Sequence, residues 1–374
     1  MNGRRAGRRH FLKSSIGTAA AAWTTARSDA RAQATEPPRP PRIRFAAIGL
    51  NHGHINGQVD SVIRGGGALV SFFAKEPDLA AAFSKRYPQA KRAGSEREIL
   101  EDPSIQLVVS ASIPNERAPL GIQVMRHGKD FMVDKPGMTS LEQLGEARRV
   151  QAETRRIYSI LYSERLENRA TVKAGELVKA GAIGKVVQTV GLGPHRMTPK
   201  TRPAWFFEKE RYGGILTDIA SHQFDQFLFF TGSDTAEVVA SQVANVSHPQ
   251  WPGLEDFGDA MVRGNGGRGY IRVDWFTPDG LDTWGDGRLT VLGTEGFIEI
   301  RKNIDVAGRA GGNHLFVVDQ KQTRYVDCKD VPLPYGEQLV SDVLDRTETA
   351  MPQRHCFLAM ELALRAEKDA RRPG

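Results

Sequence analysis

The chain has 374 residues, enough for two domains with cores of their own. Its hydrophobic fraction of 40% and charged fraction of 25% are ordinary for a globular protein, which excludes a fibrous or wholly disordered chain. The formal net charge of +7 sits mostly in residues 1–34, and no basic stripe with interleaved aromatics follows, so a nucleic-acid partner is not expected.

Residues 1–34 read as a targeting segment, to be set aside from the fold. Arg8-Arg9-His10-Phe11-Leu12-Lys13 fits the R-R-x-F-L-K pattern of a twin-arginine signal, with Gly7 where serine or threonine is commoner. A mildly apolar stretch from Ile16 to Ala26 comes next, then Ala32-Gln33-Ala34, a small-residue cleavage site. The bland alternative is a disordered basic tail. The signal implies export of the folded chain by the twin-arginine translocase, to the periplasm or beyond. Residues 35–42 are a proline-rich linker. Beyond the leader no apolar run is long enough to span a bilayer. Cys328 and Cys356 allow one disulfide or two unpaired, half-buried thiols.

Residues 43–165 alternate strand and helix. Ile43–Leu50 is a short buried strand, followed by Asn51-His52-Gly53-His54-Ile55 and a helix to about Arg64. Strands are predicted over Ala68–Phe73, Ile105–Ser112 and Phe131–Val133, with helices ending at Tyr87, over Pro119–His127 and over Leu141–Thr154. Such alternation builds a parallel sheet with ligands at the carboxyl ends of its strands. The first turn is the natural phosphate site, yet of the usual G-x-G-x-x-G only Gly49 matches; Asn51 and His54 stand at the second and third glycine positions. Asn tolerates unusual backbone angles. His52 and His54 could donate to phosphate or ribose; as metal ligands they lack a nearby third partner in sequence. The acid that holds a ribose 2′-hydroxyl in NAD enzymes aligns with Ala74, followed by Lys75, which leans toward NADP. Glu76 could serve instead with a shift of register.

The next segments carry a resemblance. Ser112-Ile113-Pro114-Asn115, Gly128-Lys129 and Asp134-Lys135-Pro136, then residues 213–225, GGILTDIASHQFD, resemble in order and spacing the glucose-fructose oxidoreductase/inositol dehydrogenase/MocA (Gfo/Idh/MocA) family. The likeness spans about residues 43–370. It departs from the family at the lost glycines, at Ala74 and at Asp134, where glutamate is usual. The resemblance implies an N-terminal Rossmann domain and a C-terminal α+β domain with an open, mostly antiparallel sheet. It also implies a nicotinamide cofactor, NADP or NAD, held by Gly49, Asn51, His52, Gly53, His54, Ile55, Lys75, Ser112, Asn115, Asp134 and Lys135. By the same resemblance Lys135, Asp218 and His222 meet beside the nicotinamide. Lys135 would polarise the substrate oxygen, Asp218 would orient the sugar, and His222 would move the proton. From spacing alone, Asp218 and His222 share one helix face with Asp225 near it. That pattern also suits a solvated face or, less readily, a metal; no metal is expected. Upstream, His195, Arg202 and Trp205 are candidates for gripping a sugar or a carboxylated sugar, against simple core packing of Trp205 and Phe206.

Residues 166–374 form the second domain. Six strands are predicted, over Val186–Leu192, Glu237–Val246, Asp259–Val262, Tyr270–Phe276, Arg288–Leu292 and Gly296–Arg301, with Gly293–Gly296 as a tight turn and a helix over Pro352–Ala370. One sheet face would be covered by the Asp218–Phe230 helix. Family members cover the other in a dimer or tetramer, so a homodimer or homotetramer is expected. The leading reading is an exported NAD(P)-dependent oxidoreductase acting on a sugar, polyol or sugar derivative. Two alternatives stand beside it: a glycoside hydrolase that uses tightly bound NAD transiently, and a non-catalytic sugar-binding protein on a degenerate scaffold.

Overall fold

The structure is a computed structural model that describes residues 40–372, so the predicted leader and most of the linker lie outside the described residues. The first sheet has six parallel strands in the order β3-β2-β1-β4-β5-β6. They are β1 (Ile43–Ile48), β2 (Gly67–Phe73), β3 (Lys91–Arg92), β4 (Leu107–Ser110), β5 (Asp130–Asp134) and β6 (Tyr158–Leu161). Strands β4, β5 and β6 are buried at every residue, as expected where helices cover both faces. The helix Ile55–Arg64 buries Ile55, Gln58, Val59 and Val62, a helical spacing that turns one stripe onto the sheet. Leu141–Thr154 forms as predicted; Ser140 caps its start by accepting from Gln143 N, while the Gln143 side chain returns to Thr139 N. The sequence reading missed β3, which is two residues long, and β6. It also started the Pro114–Arg126 helix five residues late, at Pro119 inside that helix.

The second sheet has eight strands where six were expected. They are β7 (Val186–Pro194), β8 (Ala236–Ala244), β9 (Phe257–Gly264), β10 (Arg268–Asp274), β11 (Arg288–Gly293), β12 (Gly296–Arg301), β13 (His314–Asp319) and β14 (Thr323–Val326). Their order is β14-β13-β12-β11-β7-β10-β9-β8, antiparallel except for β7 beside β10. Strands β13 and β14 were missed because loop glycines and polar turns break the pattern before them. The inner face rests on the helix Ser221–Thr231. Gly191 and Gly193 of β7 admit the Gln223 side chain there; a Cβ on Gly191 would lie 2.8 Å from Gln223 Cγ. The outer face carries exposed Met261, Leu292, Phe297 and Tyr325. The helix predicted over Pro352–Ala370 runs from Gln353 to Lys368 and packs on the Ser221–Thr231 helix. Both cysteines are buried and free.

Candidate active site

Two neighbouring cavities open at the carboxyl ends of the first sheet. One, of about 270 Å³, is lined by Gly49, Asn51, Ala74, Glu76, Ser112 and Asn115, among others. Gly49 has φ +76°, and a Cβ on it would lie 2.6 Å from Ser112 Cβ, so the turn requires glycine. Asn51 does not have a positive φ. Its amide instead donates to Glu76 Oε1 at 2.7 Å, which fixes Glu76 against this cavity. Lys75 lines the same cavity, but its side chain is 69% exposed and 3.9 Å from Glu96. Asn115 Oδ1 is buried without a protein partner. Gly53 has open space where a Cβ would be, and Ile55 is buried in the core.

The second cavity, of about 300 Å³, begins at the next residue, His52. Its floor is the Lys135–Asp218 pair, Nζ to Oδ1 at 2.8 Å. Lys135 directly follows β5. Asp218 ends the short helix Ile215–Asp218, whose first N–H groups are taken by two carboxylates: Ile215 N donates to Glu255 and Leu216 N to Glu367. Lys209 bridges those two acids. Burial pushes the Asp218 carboxyl up, but Lys135 and Arg117 outweigh it, so the net shift is downward and Asp218 is ionised.

The walls are aromatic. His195 sits edge-on to Trp275 and Trp284, with ring centroids 5.4 and 4.7 Å away. Its Nδ1 lies 3.0 Å from Gly193 O; a carbonyl only accepts, so Nδ1 carries the proton and Nε2 the lone pair. The Arg202 guanidinium lies over Phe206 at 4.5 Å and Trp275 at 5.1 Å. Trp205 lines this cavity, whereas Phe206, which also touches it, is a core residue.

His222 is placed differently from expectation. The predicted Asp218–Phe230 helix is two helices broken at Ile219–Ala220, so Asp218 and His222 do not share one continuous helical face. His222 is 3% exposed, edge-on to Tyr162 at 6.4 Å, and its Nδ1 has no protein partner. Burial holds its pKa down, to about 4, and that of His195 to about 3. Glu164 lies behind both imidazoles and accepts from Gln223, Gln226 and Lys302 at 2.9, 3.3 and 2.7 Å. Burial raises the Glu164 pKa, but Lys302 overrides it and the net value is about 2. Asp225 cannot join Asp218 and His222 around a metal: Arg165 holds both its oxygens at 2.7 Å, and His355 adds a third contact at 2.8 Å.

Asp134 is fully buried. Arg117 donates to its Oδ2 at 3.1 Å and to the carbonyls of Ser112, Asp134, Lys135 and Pro136. His52 and His54 both face the same carboxylate, so the third partner missing from the local sequence comes from β5, 80 residues from His54. Arg117, Glu164, Lys302, Trp275 and Trp284 were not foreseen; Trp275 lies in a predicted strand and the other four outside every predicted element, and none carries a motif.

Comparison with known proteins agrees with this architecture. The model for the Gfo/Idh/MocA C-terminal domain matches residues 171–299. The chain is 26% identical over 313 residues to a scyllo-inositol 2-dehydrogenase (NAD(+)) of Bacillus subtilis, covering 80% of this chain and 86% of that protein. It is 28% identical over 207 residues to a levoglucosan dehydrogenase of Pseudarthrobacter phenanthrenivorans, covering 53% of this chain and 51% of that one. A solved structure from Erwinia carotovora atroseptica, described only as an oxidoreductase, superposes with a TM-score of 0.87 at 46% identity, covering 89% of this chain and all of the other. With its parallel six-stranded sheet, its second open sheet and the Lys135–Asp218 pair between them, the chain belongs to the Gfo/Idh/MocA oxidoreductases.

Proposed function

We propose that the chain moves a hydride between a nicotinamide and a hydroxyl-bearing carbon of a sugar or polyol. One observation carries this reading: a buried ammonium–carboxylate pair, Lys135 and Asp218, floors an aromatic-walled cavity beside a glycine-dependent turn. The dinucleotide fits the residues present. Gly49 leaves room for close approach, and the unpartnered Asn115 Oδ1 offers a buried acceptor. When bound, the nicotinamide supplies the hydride acceptor or donor. Lys135 donates to the substrate oxygen and stabilises negative charge on it. Asp218 holds that ammonium in place. His195 and His222 are both neutral at working pH and compete for the proton. Arg202 and Trp205 complete the substrate grip.

The pH profile follows from burial. Each imidazole has its folded pKa lowered, so it stays neutral until pH falls toward about 4 for His222 and about 3 for His195. Oxidation is expected to show no acid limb near the ordinary histidine value of about 6.5. A histidine limb near pH 6.5 that disappears in His222→Ala would show that His222 is not held neutral.

We also propose NAD over NADP. Glu76 lines the cofactor cavity and is fixed there by Asn51, while Lys75 turns toward solvent. A carboxylate suits a ribose 2′-hydroxyl and repels a 2′-phosphate. kcat/KM with NAD is expected to exceed that with NADP by about tenfold or more, the scale of one like-charge contact. Glu76→Ser should narrow the gap; equal use of both cofactors by the parent protein would reject the assignment.

A homodimer or homotetramer is part of the reading, supported by the apolar outer face of the second sheet. Light scattering should give at least twice the chain mass, and a monomer would overturn it. Export through the twin-arginine translocase is supported by Arg8-Arg9 and the order of the leader. The double change Arg8→Lys, Arg9→Lys should keep the protein out of the periplasmic fraction; unchanged distribution would end that proposal.

A further inference from the structure

Among the described residues, one group of three side chains has the donor chemistry and spacing for a metal ion: His52, His54 and Asp134, with ligand atoms all within 4.8 Å of one another. The two histidines come from the turn after β1. That turn is pinned by His52 N donating to Ala111 O and Ile55 N donating to His52 O. Their rings stand nearly perpendicular, 85° apart with centroids at 4.1 Å, and both Nδ1 atoms converge on the carboxylate that ends β5.

The two contacts are not alike. His54 Nδ1 meets Asp134 Oδ1 at 2.9 Å with hydrogen-bond geometry. His52 Nδ1 lies 3.0 Å from Oδ2, yet it is buried and has no hydrogen-bond partner. A buried nitrogen that close to an anion, but off the hydrogen-bond direction, leaves a lone pair or proton unanswered by the protein. A cation between the three atoms would answer it. Two imidazole nitrogens and one carboxylate oxygen are a common donor set for zinc and for similar divalent transition metals. Arg117 donates to Asp134 Oδ2, the oxygen that His52 also faces, and so fixes the carboxylate while Oδ1 stays turned to His54.

We propose that His52, His54 and Asp134 bind one divalent transition-metal ion at the rim of the Lys135–Asp218 cavity. The charges around it say what completes the coordination. Arg117 already balances Asp134, so a dication here needs anionic or strongly dipolar oxygen in its open positions. All three ligands line the cavity that Lys135 and Asp218 floor, so those positions face into that cavity. The ligand class that fits is an oxygen chelator: a vicinal diol, a hydroxy-ketone or a sugar carboxylate. This inference does not rest on the redox reading, because metal retention is measured without turnover.

The test uses the full-length protein, stripped with a chelator, incubated with zinc and dialysed. Elemental analysis is expected to find about one zinc per chain, and cobalt in its place should give visible d–d absorption. His54 is the ligand to remove first, because its side chain is 44% exposed and its loss leaves the core intact. His54→Ala and His52→Ala should each weaken zinc binding at least about tenfold, a shift that loss of even an outer-shell partner can produce. His248→Ala should not; His248 pairs with Asp256 and does not line this cavity. Two results overturn the proposal: less than about a tenth of an equivalent retained by the parent protein, or retention unchanged in His54→Ala, which would mean an adventitious ion only. NAD binding, followed separately by fluorescence, keeps the two readings apart. A protein that holds zinc but no NAD keeps the metal site and loses the redox reading.

Discussion

Lys135→Met is expected to lower kcat/KM for sugar oxidation by about 10²–10³, the cost of removing one preorganised donor to a developing oxyanion. The ammonium is placed by Asp218 at 2.8 Å and by the chain turn after β5, so it needs little reorganisation when charge forms on the substrate oxygen. Removing it also leaves Asp218 as a carboxylate with only 14% of its side chain exposed and its nearest countercharge gone, so binding and chemistry suffer together. Lys135→Arg should recover only part of the loss, because the charge returns as a bulkier planar fork rather than a compact ammonium. His222→Ala and His195→Ala, assayed beside it, identify the proton acceptor; the true one should cost about 10²-fold and the other much less. Activity near that of the parent in Lys135→Met would reject the site.

Arg117→Met should destabilise the folded chain by about 3–5 kcal/mol, the range for breaking a buried ion pair from one side. The Arg117 side chain is 1% exposed, and its burial depresses its own pKa. In return it satisfies four carbonyls and one oxygen of Asp134. Methionine fills similar volume but satisfies none of these groups, leaving the Asp134 charge in a dry place. Asp134 is itself held well below the usual carboxylate range: burial raises its pKa, and His54 and Arg117 more than reverse that. The measurement is the urea midpoint at unchanged slope. Because Arg117 ties the carbonyl of Ser112 to the Asp134–Pro136 turn, activity should fall as well. A loss under about 1 kcal/mol would mean the network is solvated rather than dry.

Local pattern stops being informative just past the end of β2. Ala74 aligns with the ribose-binding acid by strand counting, yet Glu76 occupies the cavity because Asn51, 25 residues away, holds it. Counting along β2 leads to Ala74, two residues short of the acid that Asn51 holds, since the strand ends at Phe73 and the chain bends before the next helix. The same holds for the predicted Asp218–His222 helix face. Gly213 and Gly214, both at φ +92°, start a helix of only four residues, and a second helix begins at Ser221. A Cβ on Gly214 would lie 2.2 Å from the Glu367 carboxyl carbon, which is why glycine stands there, but that acid is 153 positions along the chain.

What the sequence by itself determined is what short-range physics encodes. Apolar strands alternating with amphipathic helices over residues 43–165 require a parallel sheet, and the carboxyl end of its first strand requires Gly49. The resemblance carried by Asp134-Lys135-Pro136 and the GGILTDIASHQFD block, rather than local physics, implied that Lys135, Asp218 and His222 meet; the structure pairs the first two. The tertiary structure alone decided the rest. It set Glu76 against Asn51, tied Asp225 to Arg165 and His355, seated Arg117 under the Asp134–Pro136 turn, and brought His52 and His54 to a carboxylate 80 or more residues away. These are desolvation decisions: each buried charge accepted the partner that the folded backbone brought within hydrogen-bond reach, and periodicity along a chain carries no record of such partners.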